Sequence, residues 1–322
     1  MIKRKVSKAK IKEERSPIKV KKILKEKINI IEITKEYLPD RKYKIKLDDL
    51  VNQKLREVIL LLNDEKFLLH GGSSSEQFSK RLKLYEDVVK DIQSIISLIA
   101  HWGDNEHYRM INKILARISD KIKPQDGLVA DIYLRWYPLC LLLYSAGIAS
   151  IAADKYLALS SILTAKVRSS LPPYRAVPIS IPIGNAAGEL HDAFQTLPGL
   201  ERHYVPRSEY LYKLLQPDLD DLLFLGSDYE RYFDRLEIFL ALAYADFKYK
   251  PEGRVWGPIG RFAYEYRRHK KENTFSEILE EAERQKDDWP PLKANLFSGS
   301  YERFIKIAKI FQEEILNNLK WL

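Results

Sequence analysis

Two short segments carry side chains that could ligate a metal or hold an anion. In "HWGDNEH", His101, Asp104, Glu106 and His107 fall within seven residues, and all are metal-ligand types. The spacing offers no His-x-x-x-His pair on one helix face and no third, distant ligand. A helix ending at Gly103 and a cap at Asp104 or Asn105 account for the same residues. In "HGGSSSEQF", Gly71 and Gly72 precede a helix start, where free N–H groups bind anions. The segment lacks the Gly-Lys-Ser/Thr ending of a P-loop and the dinucleotide fingerprint. It reads as a glycine turn with a serine cap, in which Ser73 with Glu76, or Ser74 with Gln77, has capping-box spacing. His70 beside these serines has no positioned acid or oxyanion donor to make a triad.

Cys140 is the single cysteine, which excludes an intrachain disulfide and a multi-cysteine zinc site. Among Leu139, Leu141 and Leu142 it reads as a small buried hydrophobe and not a nucleophile. The acids of "DLDD" (Asp218, Asp220, Asp221) follow Pro217, as expected for a first helical turn. "DDWPP" reads as a helix stop anchored by Trp289. These readings yield no catalytic residue, no cofactor and no metal ligand.

Charge points to a different class of function. The net charge is +9, and residues 1–27 hold twelve of the 54 Lys and Arg but three of the 45 acids, leaving 42 of each sign elsewhere. Lys3, Arg4, Lys5, Lys8, Lys10, Lys12, Arg15, Lys19, Lys21 and Lys22 carry most of that excess, with Lys25 and Lys27. Such an arm can neutralise nucleic-acid phosphates or meet an acidic partner; equally it reads as a solvated tail, because no aromatics are interleaved for base stacking. A second basic cluster, "RFAYEYRRHKKE", sets Arg261, Arg267, Arg268, His269, Lys270 and Lys271 around Tyr264 and Tyr266. Cations mixed with aromatics suit a single-strand contact, and they also suit a helix end whose cations face the carbonyl pole.

The elements that must position these residues are helical. Residues 1–47 read as a basic arm with some strand character, since "INIIEI" and "YKIKL" flank "LPDR" and Tyr43, Ile45 and Leu47 alternate with lysines; a small β-hairpin is the expectation. From Asp48 or Asp49 the helical period takes over with Leu50, Leu55, Val58, Ile59 and Leu62. The next helix runs to about Trp102, with Phe78, Leu82, Tyr85, Val89, Ile92, Ile96 and Ile99 spaced by fours and threes and widened by Leu84, Val88, Ile95 and Leu98. That broad stripe implies burial between neighbours and not a two-stranded coiled coil. A shorter helix follows at 106–121, and later helices are expected to be capped by Ser208, Ser227 and Thr274 with Glu277. The last runs from Tyr301 through Phe304, Phe311 and Leu319. Expected, then, is one all-α domain over 48–322, with sub-bundles 48–168 and 203–322 joined by the Pro-rich connection 169–202.

"WYPLCLLLYSAGIASIAADKYLALSSIL" (136–163) is the most apolar stretch, with no charge from Trp136 to Ala153. Its Pro138, Ser145, Gly147 and Ser150, and its Ala/Gly/Ser-rich second half, argue against a membrane span of about 20 apolar residues. It reads as two closely packed core helices turning at "ADKY", similar to one tetratricopeptide-like hairpin without the successive copies of a regular repeat. With no disulfide and no apolar run behind the basic start "MIKRKVSKAK", export is not expected and the cytoplasm is the default.

Several phrases, "RLKLYEDVVKDIQSIISLIAHWG", "LRWYPLCLLLYSAGIASIAADKYLAL", "LPGLERHYVPRSEYLYKLL", "YERYFDRLEIFLALAYAD", "WGPIGRF" and "DWPPLKANLFSGSYERF", resemble a helical region of large prokaryotic proteins of the anti-phage defence kind. There a similar segment follows a sirtuin-like, TIR-like or Schlafen AlbA-type effector. The resemblance covers about 48–322, and the first 47 residues are too few for such an effector. It therefore implies a sensor, scaffold or partner-binding protein whose effector is a separate chain, and it transfers no catalytic residue. The expected function is a non-enzymatic helical partner-binding protein, with nucleic-acid binding or an unrecognised enzymatic site as alternatives.

Overall fold

The computed structural model describes residues 29–63, 67, 75–122, 129–168, 176–250, 255–269 and 272–319. The chain is all-α. Residues 29–37 are helical (α1), which overturns the hairpin expected for the described part of 1–47. Ile30, Thr34 and Leu38, four apart, are buried on one helical face, and the Thr34 hydroxyl donates to the Ile30 carbonyl at 2.7 Å. The apparent alternation at 43–47 misled because Ile45 is 76% exposed while Leu47 is buried. Asp40 caps a 3-10 turn (Arg41–Tyr43) by accepting the Lys42 N–H at 3.0 Å, and the chain runs straight into α2 (Lys44–Leu62), four residues before the expected start.

Helix α3 (Ser75–Trp102) buries the fours-and-threes stripe from Phe78 to Ile99, and α4 (Tyr108–Ser119) buries Met110, Ile111, Ile114, Leu115 and Ile118. A short α5 (Val129–Leu134) leads into α6 (Tyr137–Ala152), which is buried at every position from Tyr137 to Ile151. It turns at Asp154 into α7 (Tyr156–Leu163). The most apolar stretch is thus a core hairpin, and α6 packs against α3, α7 and α11. Among the described residues no helix is long and apolar enough to cross a membrane.

Strands β1 (Lys166–Arg168) and β2 (Ala176–Pro178) pair antiparallel, Val167 opposite Val177, so the Pro-rich connection does carry a strand. There follow α8 (Ser180–Glu189), α9 (His191–Gln195), α10 (Pro206–Leu223), α11 (Tyr229–Lys248), α12 (Phe262–Arg268), α13 (Thr274–Gln285), α14 (Pro290–Lys293) and α15 (Tyr301–Glu314). Several expected caps move. Asn273, not Thr274, caps α13 by accepting the Ser276 N–H at 3.0 Å; Asp228 precedes α11; and Ser208 lies inside the first turn of α10. Pro217 sits within α10, so "DLDD" belongs to its C-terminal half and not to a first turn. Asp220 there accepts the Gly226 N–H. Trp289 is buried between Phe239 and Phe304, with ring centroids 5.9 and 4.8 Å away, and anchors its loop as expected. One hydrophobic cluster runs from Ile30 to Leu316, and α6 and α8 both pack on α11 across the 169–202 connection.

Candidate functional site

The start of α10 breaks a rule of helix surfaces. Polar first-turn residues normally face water, yet Arg207, Ser208 and Glu209 are all buried. The helix end is driven into the junction of α6, α11 and the 255–260 segment. Its partner there is Glu237, buried in the middle of the apolar α11. The Glu237 carboxylate accepts from Tyr144 Oη at 3.0 Å, Ser208 Oγ at 2.8 Å and the Arg261 N–H at 2.8 Å. Gly260 makes room for it, because a Cβ there would lie 1.8 Å from Glu237 Oε2. Burial raises the Glu237 pKa, opposed by the Arg207 charge and these donors.

Arg261 closes the outer side of the cluster. Its guanidinium donates to Glu209 at 3.0 Å and Glu230 at 2.6 Å and lies 3.7 Å above the centroid of the Tyr212 ring. Beside it Asp234 is buried with Oδ1 unpartnered. Burial first, and the neighbouring Glu237 second, push its carboxyl up to about 8 against the pull of Arg261.

Arg207 occupies the other side and is 5% exposed. It donates to Tyr144 Oη at 3.2 Å and to Cys140 Sγ at 3.5 Å, both uncharged acceptors. Burial pushes the Cys140 thiol up to about 11, even with Arg207 beside it, so it keeps its proton at neutral pH. Glu237 is felt by Arg207 only through space, and among the described residues no carboxylate forms a direct ion pair with it. Arg207 and Ser208 line an open cleft of about 390 Å³ whose walls include His191, Tyr204, Trp256, Ile259 and Glu314.

Chemically this arrangement binds charge. Ser208 Oγ is held on both sides, donating to Glu237 and accepting the Arg261 N–H at 3.0 Å, and Cys140 is a neutral thiol in the core. Neither is presented as a nucleophile. A buried guanidinium beside a helix N-terminus is an anion site in character.

The residues singled out from the sequence end up elsewhere. Lys3, Arg4, Lys5, Lys8, Lys10, Lys12, Arg15, Lys19, Lys21 and Lys22 lie outside the described residues, as do Lys270 and Lys271. In the second basic cluster Arg261 is consumed by Glu209 and Glu230. Tyr266 is buried with its hydroxyl donating to Asn317, and Tyr264 meets the backbone of Tyr204 and Val205. These three are therefore corrected from nucleic-acid contacts to structural groups. Arg267 and Arg268 lie in the last turn of α12, exposed, with Arg267 reaching the Leu319 carbonyl at 3.4 Å.

In "HWGDNEH", His101 Nδ1 donates to the Ala149 carbonyl at 2.9 Å, Asp104 accepts the Glu106 N–H and pairs with His107 at 2.8 Å, and Glu106 pairs with Lys44. The turn explains the cluster, although neither Asp104 nor Asn105 caps α4 directly; His107 takes the cap position. Of the glycine–serine segment only the helix start at Ser75 lies among the described residues. There Ser75 Oγ donates to the Thr196 carbonyl. No group of metal-ligand side chains able to hold an ion occurs among the described residues.

Sequence reasoning missed Arg207, Glu209 and Glu237. The available signal was Glu237 inside "RLEIFLALAYA", a charge with Phe233, Leu240 and Ala241 as helical neighbours. No protein-family model, curated protein or solved structure matches this chain.

Proposed function

We propose that this chain is a non-enzymatic sensor and partner-binding protein whose sensing element is the cleft over Arg207. Arg207 carries this reading. A buried cation is costly unless an anion compensates it closely, and its own hydrogen-bond acceptors are a phenol and a thiol. A small anion in the cleft supplies the missing counter-charge. Because Arg207 also touches Tyr144 and Cys140 of α6, the bound anion acts directly on the α6–α10–α11 junction, the element through which occupancy reaches the outer surface. The resemblance of the 48–322 phrases to regions that follow defence effectors supports a separately encoded protein partner and a cytoplasmic setting.

The test is native mass spectrometry of the full chain after incubation with a small-molecule extract. A sensor retains a ligand of unchanged mass and loses it in Arg207→Met. Release of a converted product would replace the sensor reading with an enzymatic one, and the absence of any retained ligand would remove the site. A second reading, nucleic-acid binding, is supported by the Lys/Arg excess of residues 1–27 without help from Arg261, Tyr264 or Tyr266.

A further inference from the structure

We infer that the cleft over Arg207 selects a small planar aromatic monoanion, an arylcarboxylate. This rests on the sensor reading above and adds to it the class of ligand. Charge sets the first limit. The cleft floor presents the Arg207 cation and the start of α10, where the N–H groups of the first turn lack intrahelical acceptors and the helix pole is positive. On the opposite wall stands Glu314, whose carboxylate is fixed by accepting the Val255 N–H at 3.1 Å. One negative charge is drawn to the floor, and a second one, as on a phosphate monoester, is repelled by Glu314.

Shape sets the second limit. Tyr204 and Trp256 are 49% and 42% exposed and turn into the cleft, where flat aromatic walls favour a stacked or edge-on ring. Trp256 is held in place. Tyr244 meets it edge-on with centroids 5.0 Å apart, and the Tyr244 hydroxyl is tied down by donating to Asn185 Oδ1 at 2.7 Å. Across from this indole lies Gly188, where an added Cβ would meet only Trp256 Cζ2, at 4.0 Å. Gly188 therefore leaves a slot beside the indole that any longer side chain would fill. The volume of about 390 Å³ lies toward the lower end of the roughly 300–1,000 Å³ of small-molecule sites, which favours a ligand of one or two rings.

The experiment is isothermal titration calorimetry of the full chain with indole-3-carboxylate. Indole, cyclohexanecarboxylate, adenosine monophosphate and inorganic phosphate are titrated alongside, and the Arg207→Met and Gly188→Leu variants are measured with the same probe. Indole-3-carboxylate is expected to bind about tenfold or more tighter than indole, the worth of one charge-assisted hydrogen bond, and tighter than the non-planar acid and the dianion. Gly188→Leu keeps Arg207 and its partners intact and is expected to abolish binding without lowering the melting temperature, so the result stands even if Arg207→Met fails to fold. Indole-3-carboxylate binding no better than indole, or binding that survives Gly188→Leu, overturns the inference. If phosphate or adenosine monophosphate binds through this cleft while the arylcarboxylate does not, the ligand class is wrong and the sensor reading stands. If none of the anions binds, both fall.

Discussion

Gly147→Ala tests whether close approach of α6 and α11 builds the site. A Cβ at position 147 would lie 2.4 Å from Leu236 Cδ1, 3.0 Å from Cδ2 and 3.2 Å from Cγ, so the whole isobutyl tip of a fully buried leucine must retreat by about 1 Å to reach ordinary contact. Overpacking of this kind costs about 1–3 kcal/mol, while replacing a mid-helix glycine by alanine returns about 1 kcal/mol. The net expectation is a loss of about 1–2 kcal/mol. The sign should invert when the obstacle is removed. Leu236→Ala alone costs about 2–5 kcal/mol, but in that background the new methyl enters the vacated space and Gly147→Ala becomes stabilising by about 1 kcal/mol. The coupling is then about 2–3 kcal/mol, well outside the additivity expected of independent sites. Urea unfolding of the four proteins, followed by circular dichroism and tryptophan fluorescence together, measures it through the midpoint at constant m. Gly147 lies one turn beyond Tyr144 and Leu236 precedes Glu237, so the same substitution should lengthen the Tyr144–Glu237 hydrogen bond and weaken anion binding. Stabilisation by Gly147→Ala in the wild-type background, or an equal effect in both backgrounds, would refute the packing account.

Two further outcomes are expected. The Asp234 carboxyl is raised to about 8 from an ordinary 3.8, so the folded state keeps a proton that the unfolded chain releases. Its contribution to stability is complete below the unfolded value and is lost as pH rises to about 8, by about 1 kcal/mol per pH unit. Asp234→Asn has no proton to lose, so its advantage over the wild type in urea unfolding should widen between pH 5 and 7.5 and level off above 8; a gap independent of pH would count against it. Binding of a short single-stranded DNA by the full chain, if residues 1–27 drive it, should weaken with salt at a log–log slope of about −0.7 per phosphate contacted, and should be unchanged by Tyr266→Phe. No binding at low salt would remove that reading.

What was legible in the sequence was whatever a single helix decides. The spacing from Phe78 to Ile99 places one face of α3 in the core whatever its neighbours are, and the uncharged run 136–153 admits no exposed face for α6. The first described segment was misread because period two and period four share positions over a short span. Ile45 and Leu47 fit alternation as sequence, and the decisive fact, that Leu47 groups with Val51 and Leu55, lies further along α2. The site was illegible for a different reason. Arg207 in a first turn and Glu237 in an acidic-basic stretch each look like solvated charge, and what buries them is the arrival of one helix end between two others. Only Glu237 carried a local warning, since its helical neighbours Phe233, Leu240 and Ala241 leave it no polar face to share. A charge on an apolar face must bring its own donors into the core. Here they come from three separate segments, as Tyr144 Oη, Ser208 Oγ and the Arg261 N–H. That requirement ties α6, α10 and the start of α12 to one carboxylate of α11, and so fixes where Arg207 must stand.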